Sequence, residues 1–124
     1  MAKKDFKLLI AEDDPEVRRF LMDFCDVNGY QAEWARNGLE ALTRVREDGA
    51  YALAIVDYMM PEMDGLQFVR EVKENGADLP IIAMSGWGSI MERPFLEAGA
   101  FLFLSKPFDP NVLEKEIELI RSVG

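Results

Sequence analysis

The chain has 124 residues, enough for one domain around one core, and 49% of them are hydrophobic. Fourteen basic against 23 acidic side chains give a net charge of −9, which repels nucleic acid and anionic lipid unless a local basic patch intervenes, and the sequence has none. A single cysteine excludes an internal disulfide, the first six residues lack the apolar core of a signal peptide, and no apolar stretch approaches the roughly 20 residues of a membrane span. The expectation is a soluble, cytoplasmic, single domain over residues 1–124 with no output domain of its own.

Short apolar runs alternate with amphipathic stretches, and the switch of hydrophobic period repeats five times, as in βα units. A strand near 7–11 ends in Glu12, Asp13 and Asp14. Asp14 and Pro15 then start a helix over 15–28, with a side-chain acceptor at the N-cap and a proline where its missing N–H costs nothing. Asn28 and Gly29 end that helix, and within it Phe20, Leu21 and Phe24 give Cys25 the apolar company of a buried thiol. A strand near 30–35 and a helix near 38–48 follow.

The apolar run Ala52 to Val56 closes on Asp57, so the strand near 52–57 delivers a carboxylate at its end. Asp64 and Gly65 open a helix near 65–75, which Asn75 and Gly76 close. Leu79 to Met84 forms a strand near 80–84 that ends in Ser85. Gly86, Gly88 and Pro94 then interrupt the next helix, which is expected late and short, near 94–98, with a mobile segment near 86–93. The strand near 101–105 ends in Lys106. Asp109 and Pro110 start the last helix, near 110–122, with Leu113, Ile117 and Ile120 as its inward stripe.

Five such units make a parallel sheet with helices on both faces, because crossovers are short and right-handed. Ligands of these sheets bind at the carboxyl ends of the strands, where Glu12, Asp13, Asp57, Ser85 and Lys106 all lie. If the first and third strands are neighbours, Glu12, Asp13 and Asp57 share one cleft, and two carboxylates about 4 Å apart repel by roughly 4 kcal/mol at an effective dielectric of about 20. A hard divalent ion, Mg²⁺ or Mn²⁺, suits that oxygen set, and Lys106 adds a fixed positive charge. With both in place Asp57 becomes a carboxylate nucleophile toward phosphorus, and Ser85 can hydrogen-bond the product. Taken singly, each residue also reads as a loop polar group or a helix cap. Together, at four strand ends, they favour a site.

The segments Leu8–Pro15, Val56–Gly65, Ile82–Gly86, Gly99–Ala100 and Ser105–Phe108 resemble, in order and spacing, the motifs of CheY-like response-regulator receiver domains. The resemblance implies an α/β, flavodoxin-like three-layer sandwich: a five-stranded parallel sheet of order 2-1-3-4-5 with five helices. It assigns Asp57 as phosphoacceptor. Glu12, Asp13, Asp57 and the backbone carbonyl of Met59 become the Mg²⁺ ligands (Mn²⁺ as substitute), while Asp14 falls outside the acidic pair and acts as a cap. Ser85 and Lys106 become the phosphoryl-contacting residues, with Pro107 following a cis peptide bond. Ser85 and Phe103 match the switch positions, although Phe103, lacking a hydroxyl, reports its state only through burial. Met59 and Trp87 match positions that tune the lifetime of the phosphoryl group, and both are bulky enough to shield it, while plain loop packing accounts for them equally well.

By the same resemblance the chain is a stoichiometric phosphoacceptor and not an enzyme. It would take its phosphoryl group from a histidine kinase, a histidine phosphotransfer protein or a small acyl phosphate, since the sequence holds no histidine. The expected output face is the fourth helix, fifth strand and fifth helix, presented to a protein target by a monomer or a phosphorylation-dependent dimer, without direct contact to nucleic acid or membrane. Three other readings stay open: a flavin-binding module, a Mg²⁺-dependent phosphohydrolase and a receiver-like interaction domain that is never phosphorylated. The chain can also be part of a larger regulator or hybrid kinase.

Overall fold

A computed structural model describes residues 1–47 and 49–123. After a short 3-10 turn at Lys3–Asp5, the elements run β1 (Lys7–Ala11), α1 (Pro15–Val27), β2 (Gln31–Ala35), α2 (Gly38–Glu47), β3 (Leu53–Asp57), α3 (Gly65–Glu74), β4 (Ile81–Ser85), α4 (Glu92–Ala98), β5 (Leu102–Ser105) and α5 (Pro110–Val123). Asp48, expected as the last residue of α2, and the terminal Gly124 lie outside the described residues.

The five strands form one parallel sheet in the order β2-β1-β3-β4-β5. Its two faces divide the core. Leu9, Ala11, Val56, Ile81 and Ala83 pack with Phe68, Phe95 and Phe103 on the α2–α3–α4 side. Leu8, Ile10, Ile55, Ile82 and Met84 pack with Leu21, Cys25, Leu113 and Ile117 on the α1–α5 side. Every residue of β3 and β4 is buried, which is why these strands read as unbroken apolar runs instead of alternating.

The helix starts follow the caps. Asp14 accepts from the Glu16 N–H at 2.9 Å, Asp64 from the Gln67 N–H at 2.8 Å and Asp109 from the Asn111 N–H at 2.9 Å. Two expectations need correction. The fourth helix is late and short as expected, but it begins at Glu92 and not at Pro94, which sits inside its first turn, and a 3-10 turn at Gly88–Met91 fills most of the preceding gap. Phe20 does not enclose Cys25: it is 42% exposed, because Leu21 already occupies the inward position beside it on α1, and its ring lies 6.2 Å from that of Phe108. Ile120 is partly buried at the margin of the stripe formed by Leu113 and Ile117.

Candidate functional site

Strand register assembles the site. Ala11 pairs with Val56 and Asp57 with Met84, so the chain leaves β1 as Glu12 beside Asp57, and leaves β4 as Ser85 just past Met84. Ser85 pairs with Ser105, which brings Lys106 to the same rim. No side chain on Gly65 is tolerable beneath this rim, because a Cβ there would collide with the Asp57 carbonyl and the Val56 side chain. The Gly65 N–H donates to the Tyr58 carbonyl at 2.9 Å, closing the loop after Asp57.

The Lys106 ammonium donates to Glu12 Oε1 and lies 2.8 Å from both Glu12 Oε1 and Asp57 Oδ1. Glu12 is fully buried and Asp57 only 6% exposed, whereas Asp13 is exposed. The carboxylates of Glu12, Asp13 and Asp57 each offer an oxygen within 4.8 Å of the others. Three carboxylates thus face one ammonium. Burial is the main force pushing the Glu12 carboxyl up to about 7; the charge of Asp57 adds to it and the Lys106 hydrogen bond opposes it. For Lys106, burial works against the ammonium, but hydrogen bonds to Asp57 and Glu12 outweigh it and raise its pKa. An all-oxygen donor set with an excess of negative charge fits a hard divalent cation.

Ser85 is buried, and its Oγ accepts from the Trp87 N–H at 3.0 Å. Its carbonyl accepts from the Lys106 N–H at 2.9 Å, and the Lys106–Pro107 peptide is cis as expected. The Met59 carbonyl accepts no hydrogen bond from the described residues. Phe103 is buried and stacks on Phe95 with ring centroids 6.0 Å apart. Met59 and Trp87 are both exposed, Trp87 by 62%. The Trp87 ring sits edge-on to Tyr58 at 6.2 Å, and Tyr58 edge-on to Phe95 at 5.8 Å. An unbroken aromatic row therefore runs from the surface beside Ser85 to Phe103.

Sequence reasoning missed three residues beside the site. Tyr58, which follows Asp57, is the middle of the aromatic row. Trp34 donates its indole N–H to the Glu12 carbonyl at 2.8 Å, and Arg18 lies 4.0 Å over the indole ring. Only the β1–β2 register, which is non-local, could have revealed Trp34.

The model of the response regulator receiver domain matches residues 8–118. The chain belongs to the response-regulator receiver-domain family. It is 40% identical over 118 residues to the response regulator MprA of Mycobacterium leprae, covering 94% of this chain and 50% of that protein. Against MprA of Mycobacterium avium the identity is 41% over 103 residues, covering 82% and 45%. The chain spans about half the length of these curated relatives. Among solved structures, a putative response regulator from Chloroflexus aurantiacus matches with a TM-score of 0.87 at 31% identity, covering 94% of this chain and 98% of that one. The signal receiver domain of a histidine kinase from Syntrophus aciditrophicus matches with a TM-score of 0.85 at 32% identity, covering 94% and 90%.

The family and the strand order together establish the CheY-like, flavodoxin-like fold. Receiver domains generally bind Mg²⁺ and take a histidine kinase as partner, and the acidic cluster such an ion requires is present. No helix among the described residues is long and apolar enough to cross a membrane.

Proposed function

We propose that this receiver domain accepts a phosphoryl group on Asp57 from a partner phosphohistidine, in a reaction that depends on a divalent cation held by Glu12, Asp13, Asp57 and the Met59 carbonyl. The observation that carries the reading is the double contact of Lys106 with Glu12 and Asp57 at 2.8 Å inside a three-carboxylate cluster. Such a cation, Mg²⁺ or Mn²⁺, supplies charge neutralisation to the oxygens of a phosphoryl group.

Lys106 holds Asp57 Oδ1, which leaves Oδ2, without a hydrogen-bond or ion-pair partner among the described residues, as the nucleophile. Oδ2 attacks phosphorus, the P–N bond to the donor imidazole breaks, and the imidazole leaves with the bonding pair. Lys106 then pairs with the transferred group, and the Ser85 hydroxyl donates to it. Each chain takes up one phosphoryl group and acts as a stoichiometric phosphoacceptor, not as an enzyme on external substrate.

The switch follows from the aromatic row. Drawing Ser85 toward the phosphoryl group disturbs the contact of its Oγ with the Trp87 N–H, and the displacement passes through Tyr58 and Phe95 to Phe103 and the α4–β5–α5 face, where a protein target docks. Moving a population from about 1% to 99% takes roughly 5.5 kcal/mol, more than one neutral hydrogen bond provides, so the charge-assisted contacts of Ser85 and Lys106 are both needed. The setting is cytoplasmic. The other half of the MprA relatives has no counterpart in these residues, and no DNA contact is assigned to this domain.

The test is incubation with acetyl phosphate, with and without Mg²⁺, read by intact mass beside Asp57→Asn. A single adduct requiring both Mg²⁺ and Asp57 is expected. No adduct under any condition would overturn the reading in favour of an unphosphorylated interaction domain.

A further inference from the structure

Of the three acidic side chains in the cluster, two are tied down. Glu12 is fixed by Lys106 and accepts the Asp14 N–H at 3.3 Å, and Asp57 is fixed by Lys106. The Asp13 carboxylate is exposed and has no hydrogen-bond or ion-pair partner among the described residues. Its aim is therefore set by the backbone that carries it, and first of all by the Glu12–Asp13 peptide plane.

That plane is held from outside the loop. One peptide earlier, the Glu12 N–H donates to the Ala35 carbonyl at 3.2 Å, the last contact of the β1–β2 edge. The β1–β2 pairing ends at Ala11 and Ala35, and the Glu12 carbonyl accepts from the Trp34 indole at 2.8 Å. Trp34 shares the α1 face of the sheet with Ala32, and Arg18 on α1 covers its ring at 4.0 Å. A guanidinium over an indole is an attractive arrangement that pins the ring in the plane its N–H needs.

Resting on the cation-dependent reading above, we propose that Trp34, held by Arg18, is a positioning residue for the cation site: its indole N–H fixes the Glu12 carbonyl and thereby aims the otherwise untethered Asp13 carboxylate. Groups that orient metal ligands from one bond away are worth about 10- to 100-fold in metal affinity.

Mn²⁺ binding to the full chain, followed by the loss of the free-ion electron paramagnetic resonance signal, tests this without reference to phosphorylation. Trp34→Phe, which keeps the ring and removes the donor, should weaken Mn²⁺ binding by about tenfold. Arg18→Met should weaken it less, in the same direction. Met22→Ala, which removes packing from α1 without any hydrogen bond to the site, should bind as wild type. At saturating Mg²⁺ the acetyl phosphate rate of Trp34→Phe should return to the wild-type value, which a merely damaged fold would not allow. In a Trp87→Phe background, Trp34 emission should shift on Mn²⁺ addition to metal-free protein.

Wild-type affinity in Trp34→Phe overturns the inference, as does an equal loss in Met22→Ala. A wild-type chain that binds Mn²⁺ poorly at any concentration overturns the cation-dependent reading itself, and this inference with it.

Discussion

The two ends of the sheet treat carboxylates in opposite ways. Towards the amino end Glu33, midway along β2, faces three partners among the described residues: the Tyr51 hydroxyl, Lys7 at 3.3 Å and Arg44 at 3.1 Å. Glu118 is served likewise by Arg121, by the Tyr30 hydroxyl at 2.6 Å and by Lys3 at 3.7 Å. Both are held below the usual carboxylate range, Glu33 chiefly by Tyr51, and Glu118 chiefly by Arg121, down to about 2. At the carboxyl end three carboxylates share one lysine, and Glu12 is pushed up to about 7. Satisfied charge holds the fold together; charge left short of cations marks where a ligand is awaited.

Removing Lys106, the cation in contact with the buried carboxylates at the deficient end, should give the largest effect. Lys106→Met leaves Glu12 and Asp57 buried without a counter-charge and should cost about 3–5 kcal/mol in metal-free urea unfolding, a loss that Mg²⁺ partly restores. Unchanged stability would mean that the carboxylates do not repel as placed. Gly65→Ala attacks the same rim sterically. The collision of its Cβ with the Asp57 carbonyl should cost about 1–3 kcal/mol and lower phosphorylation along with stability.

At the balanced end the same class of change should be mild. Glu33→Gln exchanges a half-exposed charge among three partners and should cost about 1 kcal/mol, with the Mg²⁺-dependent increment of stability unaltered. If that increment vanished, the two ends would not be independent.

The smallest effect is a pH slope. The folded pKa of Glu118 lies below its unfolded value, so its contribution is complete above about 4.5 and is lost as pH falls toward about 2. Thermal midpoints should therefore fall less steeply over that window in Glu118→Gln than in wild type. Glu12 has the opposite sign: its folded pKa is raised, so its contribution in metal-free protein is complete below about 4.5 and is lost as pH rises through about 7.

What distinguishes the ends was only partly legible in the chain. The strand-end positions of Glu12, Asp57, Ser85 and Lys106 could be read because β3 and β4 are apolar throughout and stop abruptly at a polar residue. Helix starts could be read because Asp14, Asp64 and Asp109 cap locally. The partners of Glu33 and Glu118 could not, since Tyr51 lies 18 residues and Tyr30 88 residues away along the chain. The first residue of α4 could not be read for the complementary reason. Its N-cap, Met91, makes no side-chain hydrogen bond, so no local signal marks where the 3-10 turn gives way to Glu92. Trp34 in β2 looks like any half-buried strand aromatic until β1 is laid beside it.

Cys25 is the chain's single cysteine, fully buried on the inward face of α1, with burial pushing its thiol up to about 12. Such a thiol is a poor nucleophile toward maleimides at neutral pH. The native protein should therefore react little with thiol reagents, and a second cysteine placed at Ile90, which is 72% exposed between Ser85 and α4, would take a dye or spin label alone, giving the segment next to Ser85 a reporter without first having to strip the background.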